Sequence, residues 1–364
     1  MGNYKIIMIN KIKYLSDIRK NILSNNKYQL SYVTEVADWS IKSDGIYITK
    51  NINSANLLKA RITITRHGLR NQIIHFGSIN TFVSEQEIKI VHPSNKIVLT
   101  WFHIVPNDPR IKFIQELNKK VEIVHTACNI TKNKLIELGL NEEKIVVIPL
   151  GVEPSLFNPV TLEKKQKIKE ELKIPLDKIV IGSFQKDGVG WSKGLEPKLI
   201  KGPNIFVKAV EKLAKDYPIF VLLVGPARGY VEVELKKRGI PFKSIGYLKR
   251  FEGVGKYYHA LDLYLITSRI EGGPKQILET MASGIPVVST KVGMVPDIIK
   301  DGQEALLTEI EDVDQIVNKA QKIIENEELK QKLVENGLKA VQKYSWEKIA
   351  KQYYEKIYKR FLNI

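Results

Sequence analysis

Short apolar runs rich in isoleucine and valine recur along this chain, and polar stretches with helical character separate them. Such runs, apolar on both faces, are typical of parallel strands that helices cover on both sides. The alternation therefore predicts an α/β fold. In the first half we expect strands at residues 5–9, 28–33, 61–65, 72–76, 96–104, 121–125 and 144–150. In the second half we expect strands at residues 178–184, 220–225, 242–248, 261–268 and 285–290.

The stretches between these runs have helical spacing of their apolar residues. We expect helices at residues 130–138, 205–216, 231–238, 255–260 and 275–283. The βαβα order repeats in both halves, which indicates two doubly wound domains. The predicted boundaries are a first domain at residues 1–155, a second at 156–343, and a last helix at 344–364 that packs on the first domain.

Composition excludes several classes of protein. Cys128 is the single cysteine of 364 residues, so a disulfide framework or a cysteine-rich zinc site is excluded. No apolar run approaches the roughly 18–20 residues that cross a bilayer. The opening residues lack the long apolar core and cleavage site of a secretory signal. We therefore expect a cytoplasmic protein.

The chain is basic, with 57 Lys and Arg against 40 Asp and Glu and a formal net charge of +17. The excess is spread over both halves, without a basic tail. Nucleic acid, an anionic membrane face or phosphorylated ligands would each account for it, as would a compositional bias toward lysine. The amphipathic stretch 111–121 could lie on an anionic membrane, although a helix that covers the sheet is the preferred interpretation.

One stretch of the second half concentrates glutamates and glycines after a predicted strand. Glu271 follows that strand, and Gly272 and Gly273 leave the backbone open to close approach by a ligand. Pro274 suits the first position of the next helix, whose unpaired N–H groups and dipole attract an anion. Glu279 lies inside that helix. Carboxylates accept hydrogen bonds from hydroxyls while amides hold phosphate, so the pattern predicts a sugar-phosphate site.

The stretch, within residues 268–302, closely resembles the signature of retaining GT-B glycosyltransferases, family four. The matching residues are Ser268, Arg269, Glu271, Pro274, Glu279, Met281, Ala282, Gly284, Pro286, Val287, Val288, Gly293 and Asp297. The resemblance implies two Rossmann-like domains facing across a cleft, with a C-terminal helix that crosses back to the first domain. It also implies that Glu271 contacts donor-sugar hydroxyls and that Glu279 contacts the nucleotide ribose.

The same family carries Gly-Arg at the end of the first strand of its second domain, and Lys-Gly soon after. Here Lys201 and Gly202 supply the second pair, whereas Ser183 stands at the arginine position. A basic group is required there because the leaving diphosphate gains negative charge as the glycosidic bond breaks. We expect Lys201 to serve catalysis, Lys186 to replace the arginine and Lys198 to be its reserve. The alternative is that each is a solvated loop lysine.

His103 ends a predicted strand, and its position resembles that of the family's active-site histidine at the sugar-facing edge of the cleft. Ligands bind outside the carboxyl ends of parallel strands, which also favours a ligand contact here. The alternative is a structural histidine with satisfied hydrogen bonds. His75 occupies a similar strand end and is a weaker candidate for contact with the acceptor. Asp312 and Asp314 form an Asp-x-Asp, but we expect them to stabilise a helix start and expect no metal site.

Taken with the resemblance, these residues predict a glycosyltransferase that needs no cofactor and uses a nucleoside-diphosphate sugar as donor. It would move a hexosyl group to an acceptor hydroxyl on a glycan or a lipid-linked molecule, with retention and without a metal. We expect no specific nucleic acid partner, and we leave open peripheral contact with the inner face of an anionic membrane. The alternatives are a GT-B-like nucleotide-sugar epimerase and a basic, noncatalytic protein that binds nucleic acid or membrane.

Overall fold

A computed structural model of the chain describes residues 2–36, 40–190, 192–248 and 251–362. The chain divides into two compact units. Unit 1 comprises Met1–Leu150 and Trp346–Ile364, and unit 2 comprises Gly151–Ser345. The last helix thus belongs to the unit that the first half of the chain builds.

The described residues contain twelve strands. They are β1 (Leu30–Val33), β2 (Ala60–Thr63), β3 (Ile73–Phe76), β4 (Lys96–Thr100), β5 (Ile123–Thr126), β6 (Ile145–Val147), β7 (Ile179–Phe184), β8 (Ile219–Val224), β9 (Phe242–Ile245), β10 (Leu263–Ile266), β11 (Val287–Thr290) and β12 (Leu306–Thr308). The α-helices are α1 (Gly2–Leu23), α2 (Ser40–Ser54), α3 (Ile79–Phe82), α4 (Ile114–Lys120), α5 (Asn129–Glu137), α6 (Leu162–Glu171), α7 (Pro203–Leu213), α8 (Gly229–Lys237), α9 (Gly255–Tyr258), α10 (Gln276–Ala282), α11 (Val295–Ile298), α12 (Val313–Glu325), α13 (Glu327–Val341) and α14 (Trp346–Lys356).

Unit 1 is built on a parallel sheet with the strand order β2-β1-β3-β4-β5-β6. Its central strands β1, β3 and β5 are buried at every position, as expected of strands that helices cover on both faces. Ile114 and Leu117 of α4 are buried in the core beside β3 and β4. The preferred interpretation of the amphipathic stretch 111–121, as a cover for the sheet, is therefore confirmed.

Unit 2 is built on a second parallel sheet, whose strand order is β9-β8-β7-β10-β11-β12. The chain starts this sheet at β7 in the middle, builds outward to β9, and then returns to place β10 on the other side of β7. This is the Rossmann order, and the crevice between β7 and β10 is its topological switch point. The predicted α/β architecture with two doubly wound domains is confirmed.

The first predicted strand, at residues 5–9, is wrong. These residues lie in helix α1, which runs from Gly2 to Leu23. The apolar residues of this stretch recur every three or four positions over more than five turns without an internal glycine or proline, so the helical period continues past the short run. Strand β12, which the sequence analysis did not predict, closes the edge of the second sheet with only three residues.

Helix α14 packs on α2 within unit 1. Trp346 at its start stacks on Tyr47 of α2, with ring centroids 5.5 Å apart and planes 7° from parallel. Ile349, Ala350 and Tyr353 continue the buried face. Among the described residues, no helix is both long and apolar enough to cross a membrane.

Candidate functional site

Two loops leave the sheet of unit 2 at its switch point, where ligands bind in folds of this kind. One follows β7 and the other follows β10, and backbone contacts join them. The amide of Arg269 donates to the carbonyl of Ile200 at 2.8 Å, and the Thr267 hydroxyl donates to the carbonyl of Gly202 at 3.0 Å. A Cβ added at Gly202 would lie 1.8 Å from the Thr267 oxygen, so only glycine allows this approach.

Lys201 and Glu271 meet at this junction. The Lys201 Nζ lies 2.5 Å from Glu271 Oε1, and the two side chains are 19% and 10% exposed. The Ser268 hydroxyl donates to the same carboxylate oxygen at 3.2 Å. The structure therefore brings together two predicted site residues that are 70 positions apart in the chain.

The other two predicted lysines lie in the same electrostatic neighbourhood. Burial lowers the pKa of Lys198, the positive charges of Lys201 and Lys186 lower it further, and Glu271 acts in the opposite direction. Burial also lowers the pKa of Lys186. Lys198 thus lies near Lys201, Lys186 and Glu271, and an anion with several negative charges would be attracted to this group of three cations and one carboxylate.

Glu279 is 5% exposed and lies within α10. The hydroxyl of Tyr258 donates to Glu279 Oε2 at 2.7 Å. Burial raises the pKa of that tyrosine well above its ordinary value, and the charge of Glu279 raises it further. The hydrogen bond therefore holds one carboxylate oxygen of Glu279 in place, in a part of the site that is largely closed to solvent.

The glycine turn lies between the two glutamates. Gly272 and Pro274 are buried, and Gly273 is half-buried. Helix α10 starts at Gln276 rather than at Pro274, and it has seven residues. Gly293 packs against this turn. A Cβ added at Gly293, whose backbone φ is +54°, would lie 2.6 Å from the Gly272 oxygen.

His103 lies in unit 1, in the loop after β4, whereas the other predicted site residues lie in unit 2. It is half-buried, and it lies three residues past the strand that it was predicted to end. Burial acts to raise the pKa of nearby Asp108, but hydrogen bonds from Arg110 and the charges of Arg110 and His103 leave it below its ordinary value.

The interpretation of His75 as an acceptor contact is wrong. Its side chain is fully buried, its Nδ1 lies 2.6 Å from the Tyr358 hydroxyl, and its Nε2 lies 2.7 Å from the Thr100 hydroxyl. Asp312 accepts a hydrogen bond from the Gln315 amide at the start of α12, as predicted, and Asp314 pairs with Lys212.

Sequence reasoning missed Arg228. This residue precedes α8, is 2% exposed, and donates from Nη2 to the hydroxyl of Ser183 at 3.0 Å. The position where the family carries an arginine is thus in contact with a guanidinium from the loop after the neighbouring strand β8. An arginine in a glycine- and proline-containing turn at a strand end is the signal that could have identified it.

Comparison with known proteins shows what much of unit 2 is similar to. Residues 190–340 match the protein family described as glycosyl transferases group 1. A glycosyltransferase of Methanocaldococcus jannaschii, MJ1178, is 31% identical over 150 residues, which make up 41% of this chain and 42% of that protein. D-inositol 3-phosphate glycosyltransferase of Corynebacterium urealyticum is 27% identical over 252 residues, which make up 65% of this chain and 56% of that protein. The chain thus spans about half the length of these curated relatives.

Among solved structures, Anabaena Alr3699/HepE in complex with UDP-glucose superposes with a TM-score of 0.73 at 16% identity, covering 91% of this chain and 99% of that one. This likeness shows a shared fold. Residues 190–340 are therefore similar to the glycosyl transferases group 1 family, and the chain shares the α/β fold of GT-B glycosyltransferases.

Proposed function

We propose that this protein is a retaining, metal-independent glycosyltransferase that transfers a hexosyl group from a nucleoside-diphosphate sugar to an acceptor hydroxyl. The observation that carries the proposal is the grouping of Lys186, Lys198 and Lys201 with Glu271 at the switch point of unit 2. The similarity of residues 190–340 to group 1 glycosyltransferases supports a transferase over an epimerase or a noncatalytic binding protein.

In the proposed reaction, each residue has a role that follows from its charge. Lys201, with Lys186 and Lys198 beside it, stabilises the negative charge that develops on the departing diphosphate. Glu271 accepts hydrogen bonds from sugar hydroxyls while it orients the Lys201 ammonium. Gly272, Gly273 and Pro274 form the turn against which the donor lies, as the glycine-proline pattern predicts.

The remaining roles in the proposal also follow the family resemblance. Glu279 contacts the ribose, and its hydrogen bond from Tyr258 fixes the carboxylate for that contact. The resemblance assigns His103 the role of the family's active-site histidine. The departing phosphate oxygen takes the proton of the acceptor hydroxyl, so the new glycosidic bond forms on the face that the leaving group vacates and the configuration is retained. The acceptor is a glycan or a lipid-linked molecule.

A thermal-shift screen with UDP, GDP, ADP and their sugars tests donor binding. UDP-glucose is the first donor to try because the structural relative was solved with it. A ligand present at a hundred times its Kd stabilises the folded protein by about 2.7 kcal/mol. We expect Lys201→Ala to lose most of that gain. Lys212→Ala, at an exposed ion pair elsewhere in unit 2, is the matched control and should keep it. If no nucleotide stabilises the wild type, the proposed function is wrong.

We also propose that the protein makes peripheral contact with an anionic membrane through helix α1. Ile12, Leu15, Ile22 and Leu23 are 59–75% exposed, and at about 100° per residue they fall on one side of the helix. Exposed Lys11, Lys13 and Lys20 flank this apolar stripe, and exposed Arg19 lies within it. An exposed apolar stripe among basic residues is the pattern of helices that lie in a membrane interface.

Co-sedimentation with vesicles tests this contact. The wild type should bind vesicles of phosphatidylglycerol and phosphatidylcholine, and bind more weakly to phosphatidylcholine alone or in high salt. The variant Leu15→Ser/Leu23→Ser should lose binding. Leu162→Ser removes a leucine that is 75% exposed on α6 of unit 2, and it should leave binding unchanged. Equal loss in both variants, or a wild type that ignores the anionic vesicles, would contradict the proposal.

A further inference from the structure

We propose that Arg228 is a positioning residue that holds the lysine loop, residues 185–202, in its ligand-binding form. Residue 191 of this loop lies outside the described residues. The inference rests on the proposed function, because it concerns how Lys186, Lys198 and Lys201 are presented to the diphosphate. Arg228 acts through the loop rather than on the ligand, since its side chain is 1% exposed.

The guanidinium connects the end of β7 to the first residues of the loop. Its Nη1 donates to the carbonyl of Ser183 at 2.6 Å and to the carbonyl of Gln185 at 2.9 Å. Its Nη2 lies 3.1 Å from Asp187 Oδ2, and the Asp187 side chain is also 1% exposed. A planar group with several fixed donors can satisfy such a set at once, which an ammonium cannot do.

Backbone hydrogen bonds connect Asp187 to two of the lysines. Its carbonyl accepts a hydrogen bond from the amide of Lys198 at 2.7 Å, and the carbonyl of Lys198 accepts one from the amide of Lys201 at 2.9 Å. Lys201 then pairs with Glu271. A short series of contacts therefore links Arg228 to the ion pair of the candidate site.

The turn that carries Arg228 also contacts the middle of the loop, at Lys193 and Gly194. The amide of Gly229 donates to the carbonyl of Lys193, and the amide of Tyr230 donates to that of Gly194, both at 2.8 Å. A Cβ added at Gly194 would lie 2.3 Å from the Ala227 oxygen, so the two backbones are in direct contact. Both halves of the loop thus converge on residues 227–230.

Hydrophobic burial contributes little to the order of this loop. Val189, Leu195 and Leu199 are 43%, 61% and 55% exposed. The like charges of the lysines oppose their approach, as the lowering of the Lys198 pKa by burial and by its two neighbours indicates. Segments with few buried apolar contacts open readily, so the buried Arg228–Asp187 pair is the contact best placed to keep this loop closed.

Limited proteolysis of the protein with the lysine-specific endoproteinase Lys-C measures how readily the loop opens. The loop contains four lysines at which the protease can cut, at positions 186, 193, 198 and 201. The variants are Arg228→Met and Arg228→Lys, which keeps the charge but loses the fork of donors. We expect cleavage within the loop to accelerate about tenfold or more, and UDP affinity measured by calorimetry to fall by about the same factor. Arg228→Lys should be intermediate in both measurements.

Lys169→Met is the matched control. Lys169 is 8% exposed and pairs with Asp262 at 2.9 Å, so this variant also removes a buried cation from an ion pair in unit 2, where Lys165 remains paired with the same carboxylate. It should lower the unfolding midpoint without opening the loop or weakening UDP binding. The proposal is overturned if the Arg228 variants are cleaved and bind UDP like the wild type, or if Lys169→Met reproduces their effects. If the wild type binds no nucleotide, the proposed function fails, while the rate of cleavage still tests whether Arg228 holds the loop in place.

Discussion

Acid should destabilise unit 1 through two buried histidines that join the last residues of the chain to the first sheet. With both imidazoles neutral, as the lowered pKa values of His75 and His125 indicate, the hydrogen bonds have one self-consistent direction. Tyr358 donates to His75 Nδ1, His75 Nε2 donates to the hydroxyl of Thr100, and that hydroxyl donates to His125 Nδ1. His125 Nε2 then donates to the carbonyl of Ile148 at 2.9 Å. Each neutral imidazole thus uses one nitrogen as a donor and the other as an acceptor, and protonation would remove that acceptor.

The size of the effect follows from the pKa of His125. Burial lowers that pKa from 6.5 to about 4, partly offset by the hydrogen bond to Ile148. Between pH 6.5 and about pH 4, the unfolded chain therefore binds a proton at His125 that the folded protein does not bind. Stability is fully present above pH 6.5 and is lost as the pH falls toward 4, by about 3 kcal/mol at roughly 1.4 kcal/mol per pKa unit. His75, whose pKa is also lowered by burial, adds to the loss in the same direction.

Urea unfolding between pH 7 and 4, followed by tryptophan fluorescence, measures this loss. Trp101 and Trp346 are buried in unit 1 and report on it. His125→Gln supplies the same neutral donor and acceptor without titrating in this range, so its free energy of unfolding should fall by about 3 kcal/mol less than that of the wild type. The matched control His92→Gln replaces an exposed histidine and should follow the wild type. An identical pH dependence in the wild type and His125→Gln would refute the reasoning.

Two further predictions concern the candidate site. Glu271→Gln removes the carboxylate paired with Lys201, so we expect UDP to bind at least as tightly as it does to the wild type. Turnover of UDP-glucose, measured by release of UDP, should fall by about a hundredfold or more. A parallel loss of UDP binding would contradict the separate roles of Glu271 in turnover and of the lysines in binding. Gly293→Ala places a Cβ 2.6 Å from the Gly272 oxygen, and should lower both the unfolding midpoint and donor binding in a thermal-shift assay. The control Gly302→Ala, at φ +78° with no atom within 4 Å of the added Cβ, should lower the midpoint alone.

The sequence alone was enough to predict the α/β architecture and the positions of most strands. Strands and helices follow from local periodicity, and short apolar runs separated by amphipathic stretches leave few other ways to bury them. The stretch from Ser268 to Gly293 could also be predicted as a ligand site from the sequence, because the glycines that let backbones approach lie within one continuous segment. The lysines of the loop were recognisable for the same reason, since they cluster in the sequence.

Only the tertiary structure determined the partners of those residues. The pairing of Lys201 with Glu271, the burial of His75 and the contact between Arg228 and Ser183 each join positions that are far apart in the chain. No local pattern encodes which loops meet at a switch point, because that depends on the order of strands in the sheet. Residues 5–9 were mispredicted for a different reason, since a short apolar run suits a strand or a helix equally well, and here the helical period of the residues that follow selects the helix.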